Sequence, residues 1–243
     1  MDLSSRSAGR LLLVLTVLPV LPQVIGSIFN IWYNTQIIIP ALPTQGLHER
    51  FHDTVVVYNV VIYPLVAGLW IFLVFSMRKS LQRLMEGRAV EESALIRLRR
   101  RAIHLPWLGS ALAGLGWFLC IPVFLGSLFQ TGEILSPSLS FHLIISFFVS
   151  AVIALTHSFF LIELGSHRLL FPIVFAQARA DQTPGAHALN LRGRGLLWIL
   201  SAGACPIGSL LLLIFAPVFS TRTPPGWLCL LGWWESPLVC VPG

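Results

Sequence analysis

Charge is what this chain has least of. Sixteen Lys and Arg and ten Asp and Glu are spread over 243 residues, a charged share of 11%, where soluble domains carry about 25%. That deficit excludes an ordinary soluble domain, which needs far more ionised surface. Cysteine is also scarce: Cys120 and Cys205 fall inside apolar runs, and Cys229 and Cys240 have no close-spaced partner. No metal or redox motif follows from them. The chain lacks a Walker motif, a dinucleotide fingerprint, a nucleophile elbow and a kinase signature, so it implies no cofactor. The net charge of +6 sits almost wholly in short segments flanking the apolar runs. Topology setting and attraction to anionic lipid account for it, and nucleic acid is not an expected partner.

What remains is apolar, and it is organised. Stretches free of Asp, Glu, Lys and Arg cover residues 11–47, 54–77, 105–132, 134–162 and 195–221, each able to supply the roughly 20 residues that cross a hydrocarbon core. None shows the polar stripe of a soluble amphipathic helix. The expected fold is all-α: a polytopic integral membrane helix bundle in the lipid bilayer, with spans at about 11–33, 54–77, 105–128, 139–162 and 195–218, and an incomplete sixth.

The basic residues give a direction. Arg6 and Arg10 precede the first span; Arg78, Lys79, Arg83, Arg88, Arg97, Arg99, Arg100 and Arg101 lie between the second and third; Arg168, Arg179, Arg192 and Arg194 lie between the fourth and fifth. The alternate side receives only Arg50 and Arg222, a split of 14 to 2. The positive-inside rule then predicts a cytoplasmic N-terminus. Arg6 and Arg10 before an apolar run resemble a signal peptide, but no small-x-small cleavage site follows, so an uncleaved anchor is expected. Its outer end should fall near Trp32-Tyr33-Asn34, an interfacial aromatic pair.

The spans form three hairpins, the last incomplete, and each outward span carries prolines: Pro19 and Pro22, Pro106 and Pro122, Pro206 and Pro217. Neighbouring helices must re-satisfy the carbonyls these prolines free, which predicts a packed bundle and homo-oligomer formation through it. Small residues in the third span (Gly109, Ala113, Gly116) and the fifth (Ala202, Gly203, Ala204, Gly208) should permit close approach. Residues 78–104 read as an amphipathic helix that lies on the bilayer or packs on a cytoplasmic partner. Residues 165–194 hold an apolar patch, Leu169 to Phe175, broken at Pro172, and then a Pro184-Gly185 turn.

His48-Glu49-Arg50-Phe51-His52 matches H-E-x-x-H, in which two histidines one helical turn apart bind zinc and the glutamate is a general base. It is the only metal candidate, and it would make the chain a membrane metallopeptidase. It follows Pro40, Pro43 and Gly46 in what reads as a short external loop, and its only other external carboxylates are Asp53, Glu133 and Glu235. With no third ligand or domain to frame a cleft, coincidence in a polar loop is the preferred reading. His142 and His157 lie 15 residues apart in the fourth span, about 22 Å along a helix, too far to share a metal. Interfacial solvation near the two span ends is the expected environment of both.

The run Gly26-Ser27-Ile28-Phe29-Asn30-Ile31-Trp32-Tyr33-Asn34, with Tyr58-Asn59, Tyr63-Pro64, Leu105-Pro106 and Gly116-Trp117, resembles the six-span N-terminal membrane region of bacterial class III adenylate/guanylate cyclases. Ser146-Phe147-Phe148-Val149-Ser150, Phe159-Phe160-Leu161-Ile162-Glu163 and Phe171-Pro172 extend the likeness over about residues 10–217. The resemblance implies a membrane anchor and signal-input module whose cytoplasmic linker and cyclase domain follow the last span. This sequence carries neither, and residues 220–243, rich in Trp, Cys and Pro, read as an atypical tail of truncated or aberrant origin. A small transporter or channel subunit is the other alternative. It should place paired polar residues or broken helices near the midplane.

Overall fold

The computed structural model describes residues 3–186 and 190–214, so the atypical tail at 220–243 lies outside the described residues. All regular structure among the described residues is helical. Five helical rods are long and apolar enough to cross a membrane: Ser7–Ala41, Gln45–Met85, Glu92–Phe129, Pro137–Val174 and Leu191–Leu212. The first comprises α1 (Leu3–Val17), α2 (Val20–Tyr33) and α3 (Ile39–Ala41), and the second α4 (Gln45–Phe75) and α5 (Arg78–Met85). The third is α6 (Glu92–Phe118) and α7 (Cys120–Phe129), the fourth α8 (Pro137–Gly165) and α9 (Phe171–Val174), and the fifth α10 (Leu191–Ile199) and α11 (Cys205–Ile214).

Proline writes the irregularities. Three wide π-helical turns, Asn34–Ile38, Ser166–Leu170 and Leu200–Ala204, end two residues before Pro40, Pro172 and Pro206. A proline has no N–H for the carbonyl four residues back, and its ring collides with that carbonyl. Widening the turn relieves the collision, and the residue before each proline bonds five back instead: Ile39 N–H to Asn34 O, Phe171 to Ser166 and Cys205 to Leu200. Pro172 therefore continues the helix through a wide turn, and the expected break there is not found. Pro22 and Pro122 act differently: the rod is interrupted three to four residues before each, at Leu18–Pro19 and at Leu119.

α8 is the centre of the bundle. In its apolar window 61% is buried inside the protein, against 17% to 33% for the other four rods. It packs chiefly against α6 and α2, with α7 and α11 on its remaining sides. Close approach comes from small residues. A Cβ on Gly26 would sit 3.3 Å from the Ser150 carbonyl oxygen, and one on Gly114 would sit 2.9 Å from Leu155. Gly109 and Ala113 serve α6 in the same way, as expected, whereas Gly203 and Gly208 of the fifth span meet nothing within 4 Å.

Two apolar clusters divide the core. At the arginine-rich end Leu12, Leu15, Trp70, Val74, Met77, Leu81, Leu98, Leu105 and Ile162 pack together. Towards the opposite end Tyr33, Leu47, Phe51, Tyr58, Trp117, Phe124, Leu139 and Phe147 form the second, held by tilted and edge-on ring contacts about Phe124. Residues 78–104 do not lie along a surface as one amphipathic segment. α5 tucks Leu81 fully into the basic-end cluster, Gly87 turns the chain at φ +66°, and Glu92 to His104 form the first turns of α6. Arginine side chains tie this end together: Arg100 donates to Pro184 O at 2.9 Å, Arg101 to Ser76 Oγ at 2.8 Å and Arg99 to Val174 O at 3.2 Å.

Candidate functional site

The H-E-x-x-H run is helical, which corrects the loop expected from its prolines. Thr44 adopts extended backbone and its Oγ1 accepts from the Leu47 N–H at 3.2 Å, an N-cap that starts α4 just ahead of the motif. His48 is half-buried, with Nε2 enclosed and without a hydrogen-bond partner, while Glu49 and His52 are exposed. Glu49 accepts from Gln45 Nε2 at 3.1 Å, and Glu133 takes the Thr44 hydroxyl at 2.7 and 2.8 Å. Beside them an open cleft of about 420 Å³ is lined by Gly46, Glu49, Arg50, Asp53, Gln130 and Thr131. Two of the lining residues are joined, Arg50 donating to Gln130 Oε1 at 2.8 Å. Among the described residues no three His, Cys, Asp or Glu side chains come together as a metal site, so His48, Glu49 and His52 are brought to one helix end without a third ligand.

A second grouping is buried. Tyr33 Oη lies 2.6 Å from His142 Nδ1, joining the first and fourth rods, and the two residues are 0% and 6% exposed. Of the run Trp32-Tyr33-Asn34, Tyr33 and Asn34 are inside the bundle and Trp32 is exposed, and His142 has a protein hydrogen-bond partner. On the same face of the first rod Asn34 Nδ2 donates to Asn30 Oδ1 at 2.9 Å. Asn30 Nδ2 and Asn34 Oδ1 are enclosed with no partner, leaving one donor and one acceptor ready for a small polar guest such as water. All four side chains are buried.

α8 connects this group to the basic end. Its 29 residues run about 43 Å at 1.5 Å each. At the far end Glu163 receives Arg194 of the fifth rod at 2.8 Å, with His167 at 4.0 Å. His157 lies between, its Nδ1 2.9 Å from Ile153 O and its Nε2 3.2 Å from Ser201 of the fifth rod. Both ends of α8 thus carry polar links to a different span.

No protein-family model, no curated protein and no solved structure matches this chain.

Proposed function

We propose that the chain is the membrane-anchoring and signal-input module of a bacterial signalling protein, sitting in the inner membrane with its N-terminus and arginine-rich end in the cytoplasm. The likeness of residues 10–217 to class III cyclase membrane regions makes an adenylate or guanylate cyclase domain its output. The observation that carries the reading is α8 itself. This buried rod has Tyr33 hydrogen-bonded to one end and Arg194 ion-paired to the other. Anything that binds the unpartnered Asn30 and Asn34 atoms in only one packing of the bundle shifts the population towards that packing. A stiff central helix then carries the shift to the basic end, where a linker and catalytic domain would respond.

The test joins the chain, through an added sixth span and linker, to a class III cyclase domain. Cyclic nucleotide output is expected, and His142→Ala or Tyr33→Phe should change it by about fivefold, a coupling of ~1 kcal/mol. Output indifferent to both substitutions refutes the reading.

The transporter or channel reading gains support from the buried Tyr33–His142 pair, since transporters place paired polar residues inside the membrane. Solute flux into liposomes bearing the chain, lost in His142→Ala, would favour it over signal input.

A further inference from the structure

One polar side chain faces the wrong solvent. Asn59 of α4 is exposed and makes no hydrogen bond to a described residue, and its neighbours Val56, Val57, Val60 and Val61 are exposed as well. It lies about 6.5 residues, or ~10 Å, from the middle of the uncharged run 54–77, inside a hydrocarbon half-thickness of about 15 Å. Acyl chains offer a carboxamide nothing, and the short Asn side chain does not reach the headgroups. An unpaired amide there is costly and calls for a partner.

The surrounding pattern defines the partner's shape. His52, Val56, Asn59 and Tyr63 are all exposed, and their 4-3-4 spacing aligns them along one side of α4. That is the heptad spacing by which one helix packs on another, and of its members within the uncharged run 54–77 Asn59 is the polar one with no partner among the described residues, since the Tyr63 hydroxyl has Ser27 of the first rod. The seam carries no charge between 54 and 77, so a second identical seam meets no repulsion. A carboxamide is both donor and acceptor, so two copies of the same residue satisfy each other across a two-fold axis.

We infer that α4 is a homodimer interface, in which the His52–Val56–Asn59–Tyr63 seams of two copies pack in parallel and the two Asn59 amides hydrogen-bond to each other within the bilayer. The occupant of this face is a second copy of the chain. This inference stands independently of the signalling reading. It assigns a face and a register to the oligomer, with Asn59 setting the register as a buried seam asparagine does in coiled coils.

The experiment uses the whole chain in liposomes. Asn59→Cys should form disulfide-linked dimers on oxidation, above the background of the parent chain, while Val57→Cys and Val61→Cys, which point away from the seam, should not. Energy transfer between labelled copies gives the dissociation constant. Asn59→Val should raise it about 3–20-fold, and Asn59→Gln, which keeps the amide, should hold it near the parent value. A dissociation constant unmoved by Asn59→Val overturns the inference, as does stronger cross-linking at 57 or 61 than at 59. A chain that stays monomeric in liposomes, or whose α4 face is taken by a different protein, overturns it equally.

Discussion

Alanine at Gly109 should destabilise the bundle although alanine is the better helix former. Gly109 lies on α6 where it crosses both α4 and α8, and a Cβ built there runs into Ile162 Cδ1 and lies 2.9 Å from Trp70 Cζ3. The isoleucine terminus can rotate away, but the indole is pinned: Trp70 is 6% exposed and its Nε1 donates to Thr16 O at 3.1 Å. To reach ordinary carbon contact near 3.5 Å the ring must retreat about 0.6 Å. Overpacking of this kind costs about 1–3 kcal/mol, and straining the Trp70–Thr16 bond adds up to about 1 kcal/mol. Exchange of Gly for Ala inside a helix returns about 0.8–1 kcal/mol, leaving a net loss of up to about 3 kcal/mol. Gly68, on α4 with nothing within 4 Å, is the internal control, and Gly68→Ala should gain up to about 1 kcal/mol. Equilibrium unfolding in mixed micelles, titrated with a denaturing detergent and followed by helical circular dichroism, measures both. Opposite signs are expected. A Gly109→Ala protein as stable as Gly68→Ala would refute the packing argument.

Tyr33→Phe strands the buried His142 Nδ1 and should cost about 1–3 kcal/mol in the same unfolding assay, a loss that His142→Leu in the Tyr33→Phe background partly restores. Ser93→Cys should resist an impermeant external thiol reagent in intact cells and react after permeabilisation, as the 14-to-2 split of basic residues predicts for this segment; labelling of intact cells would reverse the topology. Zinc analysis of the purified chain should find no stoichiometric metal, since His48 and His52 lack a third protein ligand; zinc that is present and disappears in the His48→Ala, His52→Ala double variant would restore the metallopeptidase.

Five apolar runs were enough to locate the rods, because hydrocarbon thickness acts on every span alike and needs no knowledge of neighbours. Where the helices extend past the apolar runs, composition was silent. Glu92 to His104 is polar enough to leave the membrane, yet the i→i−4 ladder carries it straight on into α6. In water a proline at position 172 would end the helix. Inside a packed bundle the lost bond is absorbed by one wide turn, and the constant offset to Pro40, Pro172 and Pro206 makes that solution readable in retrospect.

The buried polar pair was harder to foresee, and its difficulty has a physical source. Tyr33 and His142 are 109 residues apart, so nothing local links them, and an aromatic near a span end normally belongs at the interface. A fainter signal did exist. His142, Ser146, Ser150, Ala154 and Ser158 recur every fourth residue along α8, and all five are buried. Spacing of four places them on one slowly drifting stripe of the helix. Small side chains there admit α2 closely enough that Gly26 faces the Ser150 carbonyl. Each serine returns its hydroxyl to its own backbone where a bond is found, Ser146 to Leu143 O and Ser150 to Ser146 O, both at 2.9 Å. The His142 ring, at the head of the stripe, takes its partner from the facing helix instead. Tyr33, on the rod that packs there, is that partner.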